Sequence, residues 1–110
     1  MNIQIFGKSK CFDTKKAERW FKERGIKFQS VDIISKGLSA GEQKSIAQAL
    51  GGVEKLADES SKDFCEIKYL LPDAWGEKLN DNPKLYKTPI VRNGKSATVG
   101  YCPEIWEKWE

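Results

Sequence analysis

The sequence predicts an α/β fold, a four-stranded mixed sheet with flanking helices and a helical insertion ahead of a C-terminal β-hairpin. Three observations predict it. Residues 2 to 34 read as strand, helix and strand, and residues 53 to 87 carry short apolar groups in polar surroundings. Asn93-Gly94 then joins two extended segments, a strong local signal for an antiparallel hairpin.

Ile3 and Ile5 alternate with Asn2 and Gln4 in a run that ends at Gly7, the period of a strand followed by a turn. After Asp13-Thr14, Ala17, Trp20 and Phe21 fall three and four apart. Arg24 closes the last turn of that helix, and Gly25 stands where a helix stops. Phe28 and Val31 through Ile34 make the second strand, and a right-handed crossover implies that it runs parallel to the first. Ser39 followed by Glu42 is the pattern of a capping box. It predicts a helix from about Ala40 to Leu50, with Ile46, Ala47, Ala49 and Leu50 inward and Gly51-Gly52 closing it.

The apolar groups Val53/Leu56, Phe64/Ile67 and Leu70/Leu71 fit short helices better than strands. Pro72-Asp73 signals a helix over Ala74 to Leu79, ended by Asn80-Asp-Asn-Pro. The hairpin strands are Thr88-Pro-Ile-Val-Arg and Ser96-Ala-Thr-Val-Gly. Pro103 opens a last helix with Ile105, Trp106 and Trp109 at helical spacing, the tryptophans serving as packing. This order is the thioredoxin-like arrangement with an insertion before the hairpin, over about 39 to 87, and it brings the proline that starts the third strand close to the Cys11 loop.

At 110 residues the chain is expected to form one domain, 1 to 110, with a single core. No apolar run approaches the ~20 residues of a membrane helix, and the amino terminus lacks the apolar stretch of a signal peptide. A cytoplasmic protein without membrane contact is expected. A net charge of +3, mixed with 16 acidic residues, argues for no direct nucleic-acid contact. Three widely spaced cysteines and no histidine give neither a disulfide framework nor a metal site, and they exclude histidine acid/base chemistry.

Cys11 lies in the loop between the first strand and the first helix. The unpaired N–H groups of that helix start carry partial positive charge and stabilise a thiolate. Lys8, Lys10, Lys15 and Lys16 lie within five residues of it and favour the same ionised form. Asp13 opposes them in charge while offering the helix a cap. Thr14, at the third position after the cysteine, is placed to donate its hydroxyl to the sulfur or to cap the helix.

Cys11 after Ile-x-Ile-Phe-Gly, Thr-Pro-Ile-Val at 88 to 91, Asn93-Gly94 and Val-Gly-Tyr-x-Pro-Glu at 99 to 104 resemble the arsenate reductase family of thioredoxin-like proteins, the ArsC and Spx group. The resemblance covers essentially the whole chain. It implies that Cys11 is the catalytic or redox-sensing thiol, and that Pro89 forms a cis peptide facing it, so that Thr88 and Pro89 position the substrate. The family's arsenate reductases hold their oxyanion with arginines. This chain has Thr88 and Cys102 where two of them stand, and no arginine around Ser60 to Lys62. Of Arg19, Arg24 and Arg92, the first two belong to the outer part of the first helix, which leaves Arg92 as the candidate for positioning substrate. Spx regulators carry C-x-x-C; here Thr14 takes the second place.

The leading expectation is a thiol-dependent oxidoreductase with no bound cofactor. Cys11 attacks a disulfide, a glutathione mixed disulfide or an oxidised small molecule or protein, and glutathione or another thiol serves as co-substrate. Cys102 is the candidate resolving thiol, with Cys65 behind it. Two alternatives of other classes are a regulatory module similar to Spx that binds an RNA polymerase subunit, and a glutathione-coupled arsenate reductase.

Overall fold

In the computed structural model, which describes residues 2–109, the amino-terminal alternation becomes β1 (Ile3–Gly7), with Ile3 and Ile5 packed on one face of the sheet and Phe6 on the other. Strands β2 (Phe28–Asp32), β3 (Ile90–Asn93) and β4 (Ser96–Val99) complete a sheet of order β2-β1-β3-β4. β1 runs parallel to β2 and antiparallel to β3, which pairs antiparallel with β4. The expected thioredoxin-like mixed sheet is therefore present.

One face is covered by α1 (Phe12–Glu23), whose Ala17, Trp20 and Phe21 are buried at the spacing read from the sequence. The short α5 (Pro103–Trp106) adds Trp106, fully buried, its ring 5.4 Å from that of Trp20 and its indole N–H donating to Thr98 Oγ1 at 2.8 Å. Truncating such a side chain costs about 3–5 kcal/mol. The helix passes at once into a 3₁₀ turn, Glu107–Trp109, and Ile105, at helical spacing with the tryptophans, is exposed because one turn cannot carry a full apolar stripe.

The insertion covers the other face. α3 (Ala40–Leu50) starts on the Ser39/Glu42 capping box and stops at Gly51, whose φ of 93° is left-handed. Ile46 is buried beneath it, but Ala49, expected inward, is exposed. The next stretch consists of 3₁₀ turns at Val53–Leu56, Lys62–Glu66 and Pro83–Leu85 around α4 (Pro72–Asp81). Leu56, Ile67 and Leu79 join Phe6 and Ile90 in this second core, whereas Leu71 is left 78% exposed.

The second strand ends earlier than Ile34. Asp32 accepts the Ile34 N–H and the Ser35 hydroxyl, each at 3.0 Å, and so starts a one-turn helix, α2 (Ile33–Lys36). Ile33 remains in the core and Ile34 turns outward.

Tyr86 anchors the approach to β3. Its hydroxyl accepts from Gln43 Nε2 at 2.8 Å and donates to Asn80 Oδ1, and burial pushes its pKa up to about 12, which keeps it a neutral donor. Ala57 and Tyr86 form an isolated antiparallel bridge. On either side of it Asp58 N–H donates to Leu85 O and Lys87 N–H to Leu56 O, both at 2.7 Å. That bridge carries residues of the insertion to the edge of the Cys11 loop. No helix among the described residues is long and apolar enough to cross a membrane.

Candidate functional site

Cys11 is the N-cap of α1, in extended conformation at φ −90° and ψ 115°, and its carbonyl accepts the Lys15 N–H at 3.3 Å. A turn closed by Cys11 N–H on Lys8 O at 3.1 Å links β1 to the helix. Directly behind that turn, Gly7 and Thr14 touch. A Cβ on Gly7 would lie 2.2 Å from Thr14 Cγ2, so only a glycine at the end of β1 lets α1 begin here. The loop presents Cys11 half-buried, with Sγ 3.7 Å from the Thr88 carbonyl oxygen. The Thr88–Pro89 peptide is cis, as the resemblance implies, and the Pro89 carbonyl is fixed by the Gly100 N–H at 2.8 Å.

Around the sulfur opens a cleft of about 370 Å³ lined by Lys8, Lys10, Cys11, Asp13, Asp58, Ser60, Lys87 and Thr88. Burial pushes the Cys11 thiol up. Hydrogen bonding from the Thr14 and Thr88 side chains and from the Thr14 and Asp13 N–H groups outweighs it, so the thiol titrates below its ordinary 9.0. Thr14 Oγ1 is buried and in this geometry meets no hydrogen-bond partner, although it is near enough to Sγ to favour the ionised form.

Of the lysines expected to favour the thiolate, Lys8 and Lys10 line the cleft. Lys8 is half-buried, and burial lowers its pKa against the pull of Asp58 and, more weakly, of Cys11; its ammonium donates to Lys84 O at 2.8 Å. The attraction to Cys11 is mutual, so the Lys8 ammonium favours the Cys11 thiolate as the thiolate favours it. Lys10 lines the cleft from an exposed position, and Lys15 lies outside it on the exposed side of α1.

Arg92, expected to position substrate, is not brought to the cleft. It sits at the far end of β3, opposite Gln4, with its guanidinium directed to Gly94 O, Gln4 Oε1 and Ser45 Oγ at 3.2, 3.4 and 3.5 Å. Cys102 does not line the cleft either. It caps α5, packs against the Trp106 core and lies 3.4 Å from Val99 O. Burial and the Glu104 carboxylate raise its pKa, against the pull of Lys87. Cys65 is exposed, 3.7 Å from Lys62 O, and all three thiols are free.

Asp58 and Lys87 line the cleft without having been singled out in the sequence, and Ser60 was noted there only as a place without arginine. Lys87 adjoins Thr88, so chain adjacency points to it. Asp58 and Ser60 carry no local signal, because the Ala57–Tyr86 bridge brings them in.

No family model matches the chain. It is 32% identical over 106 residues to the Global transcriptional regulator Spx 2 of Oceanobacillus iheyensis, an alignment covering 92% of this chain and 78% of that one. Among solved structures, an ArsC family related protein from Bacteroides fragilis superposes with a TM-score of 0.87 at 26% identity, covering 100% of this chain and 98% of that one. An arsenate reductase from Vibrio cholerae superposes with a TM-score of 0.86 at 24% identity, covering 98% and 97%.

Proposed function

The chain belongs to the ArsC/Spx-like family of thioredoxin-fold proteins, and within it we propose that this protein is a thiol-dependent oxidoreductase whose nucleophile is Cys11. The observation that carries the reading is the position of the sulfur: at the start of α1, open to a cleft, opposite Thr88 and the cis Pro89, with its pKa lowered. The thiolate attacks one sulfur of a disulfide, a glutathione mixed disulfide among the candidates. The S–S bond breaks, and the other sulfur leaves with the electron pair as a thiolate. Cys11 is then held in a mixed disulfide. Glutathione or another thiol attacks the substrate sulfur and returns Cys11 as thiolate, so the donor ends as one half of a new disulfide while the displaced half of the original has left reduced.

Thr14 and the helix-start N–H groups stabilise the Cys11 sulfur both as it attacks and, in the second step, as it departs, since its charge lies at the same place in each. Thr88 and Pro89 offer backbone against which the substrate lies. The test is the pH dependence of iodoacetamide alkylation of Cys11 with Cys65 and Cys102 replaced by serine, followed by turnover of a glutathione mixed disulfide. A midpoint below the free-thiol value of ~8.5 and turnover that vanishes in Cys11→Ser support the reading; a midpoint at that value defeats it.

A second reading, regulation by binding an RNA polymerase subunit, draws support from the relative named as a global transcriptional regulator. Its mark would be a polymerase complex that survives Cys11→Ser. Arsenate reduction draws less support, because no arginine lines the Cys11 cleft. Arsenate-dependent oxidation of a thiol donor would reinstate it.

A further inference from the structure

We propose that Asp58 is the charge-selecting residue of the Cys11 cleft, turning the reaction away from anionic disulfides and towards those whose halves carry positive charge. The inference rests on Cys11 being the nucleophile and adds to that reading the class of substrate it takes. Asp58 is fixed in place twice. Its N–H donates to Leu85 O at 2.7 Å beside the Ala57–Tyr86 bridge, and its Oδ1 accepts from the N–H and hydroxyl of Ser60 at 3.0 and 2.6 Å. Backbone and carboxylate are thus each anchored at the rim of the cleft.

Asp58 also compensates the cleft's most buried cation. Lys8 is tethered to Lys84 O, and Asp58 attracts it more strongly than Cys11 does. Beyond Asp58 the cleft continues into a second one of about 430 Å³, which shares Asp58, Ser60 and Lys87 with the first and adds Glu54 and Glu59 against Lys55. The first cleft sets Lys8, Lys10 and Lys87 against Asp13 and Asp58, and the second sets Glu54, Asp58 and Glu59 against Lys55 and Lys87, so the balance of formal charge passes from positive to negative with distance from the sulfur. A disulfide reaching from Cys11 past Asp58 lays its outer part among carboxylates, where an ammonium or guanidinium group is attracted and a carboxylate or oxyanion is repelled. The chemistry that fits is a disulfide on a basic polypeptide or an aminothiol.

In the step itself the Cys11 thiolate displaces one half of the disulfide. A new S–S bond forms as the old one breaks, and the departing half leaves reduced, as a thiolate with the electron pair. The test uses three disulfides of defined charge at low ionic strength, on the full chain with Cys65 and Cys102 replaced by serine: dithiobis(nitrobenzoate), with two carboxylates, uncharged dithiodipyridine, and cystamine, with two ammonium groups. Asp58→Asn keeps the oxygen that Ser60 binds and removes the charge.

Relative to the neutral probe, that change should raise the rate with the dianion about fivefold and lower the rate with the dication by a similar factor, both effects shrinking at high salt. Because each comparison is a ratio between probes, a change in thiolate fraction cancels. Asp58→Glu, which restores the charge, should return the ratios towards the parent values. Ratios within twofold of the parent in Asp58→Asn overturn the inference. A parent Cys11 that fails to react even with the neutral probe overturns the nucleophile reading, and this one with it.

Discussion

Cys11 and Cys102 occupy the same kind of place and are driven in opposite directions. Each is a half-buried thiol at the N-cap of a helix, and each lies within 4 Å of a backbone carbonyl, Thr88 O at 3.7 Å and Val99 O at 3.4 Å. Burial raises both. At Cys11 the side chains of Thr14 and Thr88 and two N–H groups overturn that effect; at Cys102 the Glu104 carboxylate reinforces it. α1 runs 12 residues and α5 only 4, so the second helix also has little macrodipole to offer. A helix start is thus not enough to activate a thiol. What matters is which donors the first turn carries and how long the helix behind it is.

The comparison breaks most sharply if the two thiols react alike. At pH 7 and 25 °C, Cys11 should alkylate at least about tenfold faster than Cys102 when the modified peptides are quantified separately, as a lowered thiol pKa requires. Cys11→Ser should abolish turnover of a disulfide substrate, with Cys102→Ser leaving it intact. Turnover that needs Cys102 would make it a resolving thiol and reverse its place in the comparison.

Gly7→Ala should be the most damaging conservative change near the site. The added Cβ meets Thr14 Cγ2 at 2.2 Å, an overpacking that costs about 1–3 kcal/mol and displaces the first turn of α1. Denaturant unfolding reads the loss, and a raised thiolate midpoint for Cys11, followed by absorbance near ~240 nm, reads the displacement. Thr14→Val should raise that midpoint while stability holds or improves by about 1 kcal/mol, because a buried hydroxyl without a partner is removed.

The two thiols should also give opposite slopes to stability against pH. Cys11, with its folded pKa lowered, contributes stability that is fully present above the ordinary 9.0 and is lost as pH falls through its lower folded value. Cys102, with its folded pKa raised, contributes stability present below 9.0 and lost as pH rises through its higher folded value. Unfolding free energies of the two serine variants between about pH 7 and pH 10 should diverge from the parent in these opposite senses, the region where free thiols titrate. Glu104→Gln is the gentlest probe: it should lower the Cys102 pKa and speed its alkylation about twofold, leaving Cys11 unchanged, as an exposed charge in water allows.

Much of this contrast was readable before any fold. Ile3, Ile5 and Gly7 announced a strand and turn, Ala17, Trp20 and Phe21 a helix, and the sulfur between them followed. Ser39 with Glu42 and Asn93 with Gly94 act within a few residues, and the structure realises both. Where the reading overran, as at Ile33 and Ile34, an aspartate cap too local for an apolar run to reveal had taken precedence. Arg92 is the arginine that the first helix does not claim, and its strand position opposite Gln4 carries it to the end of the sheet away from Cys11.

Hydrophobic period, capping residues and turn residues act over a few positions of chain, so β1, α1, α3 and the hairpin, with the loop that holds Cys11 between the first two, follow from local stretches alone. Which side chains line the cleft around that sulfur depends on the assembled fold: Asp58 and Ser60 are carried there by the Ala57–Tyr86 bridge, Lys87 by its place beside Thr88, and Arg92 is turned away by strand register. A bridge and a register join segments tens of residues apart, and no short stretch of chain encodes such a pairing.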